Sequence, residues 1–157
     1  MATITTNVDI SPALRKLSAA QETFKLEPNL KAVGKRLVTW IDDNFRSQGG
    51  LVGGWLELSE ATVKRRRKGG NSKFPDTQIL QDIGTLKSSF DNYGGTGYKL
   101  GIARVRVGSE LIYAGTHNFG RDRIPQRRIL PDNSQAKEVA INLIQARIDK
   151  LKASQNG

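Results

Sequence analysis

The stretch YKLGIARVRVG, residues 98–108, decides the fold class. Ala103, Val105 and Val107 fall on one face, and Arg104 and Arg106 on the other. A period of two is the mark of a half-buried strand. Turn signals bound it, Asp91-Asn92-Tyr93-Gly94-Gly95 before and Ser109-Glu110 after. Leu111-Ile112-Tyr113-Ala114 then reads as a return strand or the start of a short helix. Most of the chain outward from this stretch has helical character. The fold class expected is therefore α+β, a small antiparallel β-sheet packed against long N-terminal and C-terminal helices, with long basic and Gly-rich loops.

Upstream, residues 28–46, PNLKAVGKRLVTWIDDNFR, form the clearest helix. Leu30, Val33, Leu37, Ile41 and Phe45 recur at three and four, and Trp40 widens that stripe. Ser11-Pro12 predicts an earlier helix over about 12–26, because a hydroxyl N-cap precedes a proline at the first helical position. Residues 47–54, SQGGLVGG, break the chain. Ser59 caps a short helix from Glu60 to about Arg67. Ile79, Leu80, Ile83 and Leu86 again have helical spacing. Downstream, His117 to Gly120 begins a loop that Pro125 holds extended. A last helix runs from Asn133 or Ser134 to Lys152, with Val139, Ala140, Leu143, Ile144, Ile148 and Leu151 as its face. The expected organisation is a flexible arm over 1–10, one α+β domain over 11–152 and a flexible tail over 153–157.

The 157 residues suffice for a core, and 37% apolar content is low but globular. With no cysteine there is neither a disulfide framework nor a thiolate metal site. The single His117 excludes chemistry that needs two imidazoles. No stretch approaches the roughly 18 apolar residues of a membrane span, and the N-terminus lacks the pattern of a secretory signal. These observations lead to the expectation of a non-membrane protein in the cytoplasm.

The net charge of +10 is concentrated. Residues 64–73, KRRRKGGNSK, place Lys64, Arg65, Arg66, Arg67, Lys68 and Lys73 together with no acid. Residues 121–128, RDRIPQRR, add Arg121, Arg123, Arg127 and Arg128 against Asp122. Such segments attract polyanions or acidic protein surfaces, or else lie solvated. No aromatic residue interrupts the first run, so stacking on single strands finds no support.

No constellation argues for catalysis. His117 has only Tyr113 and Asn118 beside it, which is no triad. Nucleotide-binding and nucleophile-elbow motifs are absent. Asp42 and Asp43 point about 100° apart on a helix and share no site. The reading is a non-enzyme without cofactor or metal.

Five short motifs in order rise above a generic α+β domain. They are Trp55-x-x-Leu58-Ser59-x-x-Thr62, then Ile79-Leu80-Gln81-Asp82-x-Gly84-x-Leu86-x-x-Ser89, Val107-Gly108-Ser109, Tyr113-Ala114-x-x-His117-x-Phe119-Gly120, and Ile124-Pro125-x-Arg127-x-x-Leu130. In this order the chain resembles the tail-completion, or virion morphogenesis, proteins of contractile-tailed phages, the Mu-like and P2-like group, over about residues 28–150. It departs from their pattern at Ile83, Gln126 and Asn118.

The resemblance implies a structural virion protein of the neck. It would form a ring, commonly of six subunits, that completes the tail and joins it to the head connector. The implied partners are other copies of the chain, the tail tube and sheath, and head-connector proteins, with genomic DNA nearby in the channel. The implied location is the virion, reached from the host cytoplasm. A small basic nucleic-acid-binding protein is the alternative. The subunit or partner interface is expected at the ten basic residues named above together with His117 and Asn118. Trp55, Leu80, Gly84, Leu86, Gly108, Tyr113, Phe119, Gly120 and Pro125 are expected to carry the structural motif. Core packing is the plain role for Tyr113 and Phe119. One or both of the segments 47–54 and 64–76 are expected to find order only on assembly, having little to hold them on their own body.

Overall fold

The computed structural model describes residues 4–9, 11, 26–69 and 72–155. Three strands form one antiparallel sheet: β1 (Ile4–Asp9), β2 (Tyr98–Gly101) and β3 (Arg104–Ser109), in the order β1-β3-β2. Five helices are present among the described residues. They are α1 (Leu26–Arg46), α2 (Glu60–Gly69), α3 (Thr85–Asp91), α4 (Ile112–Phe119) and α5 (Asn133–Gln155). The fold is α+β with a small antiparallel sheet, as the strand alternation implied.

The stripe of α1 is the floor of the core. Leu30, Val33, Leu37, Ile41 and Phe45 are all buried, and Trp40 with them. They meet Val105 and Val107 from the sheet and Ala136, Ala140 and Ile144 from α5. Arg104 and Arg106 stay exposed on the opposite face of β3. The expected single strand over 98–108 is a hairpin, because Ile102-Ala103 turns the chain and Ala103 adopts φ 51°. The helix expected over 12–26 falls almost wholly outside the described residues.

Four expectations need correction. Residues 4–9 are not an arm. They pair along their whole length with β3, from Ile4 opposite Ser109 to Asp9 opposite Arg104, and bury Ile4, Thr6 and Val8. The apolar spacing over 79–86 is not one helix. Leu80 adopts φ 57°, which no helix tolerates, and α3 starts only after Gly84 at φ 88°. His117 to Phe119 do not open a loop; they are the last turn of α4, which Gly120 ends. Residues 47–54 and the described part of 64–76 are held by the chain itself. The Gln48 side chain donates to the Phe45 carbonyl (2.8 Å) and accepts from the Ile79 amide (2.6 Å). Gly49 at φ 84° receives the Trp55 ring against its missing Cβ. The Lys73 amide donates to the Asp82 carbonyl (2.9 Å).

Gly108 shows how closely β1 is seated. A Cβ there would strike the Ile4 carbonyl oxygen and the backbone of Thr5. Backbone in a paired strand cannot retreat. Gly108→Ala is expected to lower stability by about 2–3 kcal/mol in denaturant titration. A change under about 0.5 kcal/mol, the range of an ordinary surface substitution, would mean that β1 does not pair there.

Candidate functional site

The segment from Arg127 to Pro131 lies in no helix or strand, yet Arg127, Ile129, Leu130 and Pro131 are all buried. Buried backbone must find partners, and here side chains from four places supply them. Asn44 of α1 donates to the carbonyls of Arg128 (3.1 Å) and Ile129 (3.2 Å). The Trp55 indole also donates to the Arg128 carbonyl (2.9 Å). The Asn118 side-chain oxygen accepts the amides of Ile129 (2.9 Å) and Leu130 (3.1 Å). The Thr6 hydroxyl donates to the Pro131 carbonyl (3.1 Å). Asn44 and Thr6 were not legible as functional; an Asn inside the apolar stripe of α1 was the available signal.

Arg127 turns back from this segment and donates to the carbonyls of Leu56 (2.9 Å) and Glu57 (3.0 Å). Its burial pushes the guanidinium pKa down. Arg127 and Asn118, expected at an interface, therefore hold the chain to itself. Arg66 is engaged in the same way. Its side chain is 7% exposed and donates to the Gln78 carbonyl (2.6 Å), with Asp82 at 3.8 Å. Arg67 pairs with Asp76 (3.2 Å), and Arg128 with Asp132 (3.1 Å). Arg121 lies 3.7 Å from the carboxylate of Asp122. Lys64, Arg65, Lys68, Lys73, Arg121 and Arg123 are exposed.

The two basic segments, far apart in sequence, converge on one groove of about 730 Å³. Arg65 and Arg66 of α2 line one part of it, and Arg123 and Arg127 another. Ile83 from the turn before α3 and Ile124 add exposed apolar surface. Tyr113 and His117 of α4 also line it, ring edge to ring face with centroids 6.3 Å apart.

Tyr113 and Phe119 are not core residues as expected. They are 44% and 69% exposed, because α4 turns Ala114 and Asn118 inward instead. Of the remaining motif residues, Trp55, Leu80, Leu86 and Gly108 are buried, and Pro125 is half-buried. Among the described residues no cluster of three His, Asp or Glu is placed to hold a metal, and no helix is long and apolar enough to cross a membrane.

His117 has a buried Nδ1 without a hydrogen-bond partner. Burial, and secondarily the Arg127 charge, hold its pKa below the ordinary imidazole range. The unfolded chain then binds a proton that the fold refuses, so stability is present above that range and lost as pH falls through it. The melting temperature should fall from about pH 7 to about pH 5.5, and His117→Gln should flatten part of that slope. An unchanged slope would show that His117 is freely protonated in the fold. Asn118→Ala leaves two buried amides unpaired and should cost about 2–3 kcal/mol in the isolated chain. A residue serving only an interface would leave that stability untouched.

Over residues 6–149 the sequence matches the phage virion morphogenesis family. No curated protein and no solved structure matches the chain. The family match covers most of the sheet, the groove and the greater part of α5, and it includes every motif on which the resemblance rested. The chain belongs to the phage virion morphogenesis family.

Proposed function

We propose that the chain is a structural protein of the phage neck, forming a ring of six subunits that completes the tail and joins it to the head connector. Family membership carries the broad part of this reading, a role in building the virion. The finer part draws on α4. On this eight-residue helix Ile112, Tyr113 and Phe119 are exposed, while only Ala114 and Asn118 are buried. A helix with its large apolar side chains turned outward gains stability by docking on another surface. Neighbouring copies of the chain, the tail tube and sheath, and the connector are the surfaces the reading supplies. Closure into a ring requires two different patches that meet head to tail, and the Ile112 and Phe119 side of α4 and the basic groove, which neither residue lines, are two such patches.

The protein acts by binding and not by turnover. The nucleic-acid alternative draws less support than net charge suggests, because Arg66, Arg67, Arg127 and Arg128 are engaged within the chain.

Electron microscopy of phage particles carrying a tagged copy tests the reading. Density for the tag at the junction of head and tail, with unjoined heads and tails when the gene is silenced, is the expected result. Tag density elsewhere in the particle, or joined particles without the chain, would overturn it. A Phe119→Ser, Ile112→Ser double variant should fold normally and fail to enter particles.

A further inference from the structure

We propose that the groove between α2, α4 and the turn before α3 receives an acidic segment of a partner protein that also carries apolar side chains. This deepens the assembly reading above and rests on it.

The charge in the groove is unbalanced in a particular way. Arg66 has Asp82 beside it, but Arg65, Arg123 and Arg127 have no carboxylate partner among the described residues, although all three line the same groove. The rest of the chain pairs many of its cations: Lys31 with Glu27, Lys87 with Asp42 and Asp91, Lys99 with Glu110. Arg65 and Arg123, two exposed guanidiniums facing one concavity, match carboxylates brought from outside, since planar guanidinium and carboxylate groups bond in register.

The groove is also not a surface for charge alone. Ile83 is 53% exposed and Ile124 is 41% exposed, and both line it with Tyr113. Apolar side chains left in water beside unpaired cations fit a segment that alternates acid and apolar residues. A nucleic-acid backbone satisfies the cations but not Ile83 and Ile124.

Two exposed guanidiniums can be removed without touching the fold. Among the described residues Arg65 and Arg123 make no side-chain hydrogen bond or ion pair, unlike Arg66 and Arg127. Lys64 and Lys68 provide a control, since they share α2 with Arg65 but do not line the groove.

The test measures fluorescence anisotropy of a short labelled peptide alternating glutamate and leucine, titrated with the full chain at low salt. Polyglutamate of equal charge and a short DNA duplex serve as comparison ligands. The peptide is expected to bind more tightly than either. Arg65→Gln with Arg123→Gln should weaken it by about tenfold or more, and Ile83→Ser should weaken it as well. Lys64→Gln with Lys68→Gln should leave it within about twofold. Thermal melts verify that each variant is folded.

Equal weakening by the control pair, tighter binding of the duplex, or no peptide binding at all overturns the proposal. These outcomes are distinct from failure of the neck reading, which is judged by where the chain sits in particles. A chain found at the junction that ignores the peptide refutes only the groove's occupant.

Discussion

A run of backbone buried outside any regular element needs every one of its polar groups answered. Along the path from Arg127 to Pro131, side chains answer the amides of Ile129 and Leu130 and the carbonyls of Arg128, Ile129 and Pro131, and much of the molecule is arranged around them. Thr6 from the first strand, Asn44 from the long helix, the Trp55 indole and Asn118 from α4 all converge on these few peptide groups. A net hydrogen bond contributes about 1 kcal/mol, but an unanswered buried group costs more. The run therefore acts as a pin whose seating demands that four distant parts of the chain be in place together. Arg127 extends the pin by capping the carbonyls of Leu56 and Glu57, which fixes the approach to α2.

That arrangement explains how charge is divided. A sum of cations taken from sequence treats them as equivalent. In the fold they separate into those that bind the chain's own carbonyls and carboxylates and those left facing outward. Arg66 and Arg127 belong to the first group, although Arg66 stands between the exposed Arg65 and Arg67. The outward set is smaller and more directed, and it borders exposed isoleucines rather than water alone. The family is one of virion morphogenesis, and a surface that mixes unpaired guanidiniums with apolar side chains is suited to contacts that are both steered and tight.

Periodicity made the long elements legible. The stripe from Leu30 to Phe45 and the alternation of Arg104 to Val107 are signals set by geometry within the element itself, and both fell where expected. What could not be read depends on partners distant in sequence. The Ile4 to Asp9 strand has alternating burial, but its short Thr-rich sequence means little without β3, about a hundred residues on. Ile79 to Leu86 carried helical spacing, but Gln48 claims the Ile79 amide and Leu80 takes a left-handed backbone, so tertiary bonding overrode the local pattern. The groove itself was half legible. Its two basic segments stood out in the sequence, whereas their convergence, and the outward aspect of Tyr113 and Phe119, needed the fold.

The central place of β3 also governs how the chain matures. Its partners are β2, immediately before it, and β1, far earlier in the chain. During synthesis β1 emerges well before β3, the strand with which it pairs. Ile4 and Val8 stay solvent-accessible through that interval, and closing so long a loop slows the final step. An unpaired β1 is an open invitation to the same strand on a neighbouring copy of the chain, because its backbone groups lie unanswered along the edge until β3 arrives.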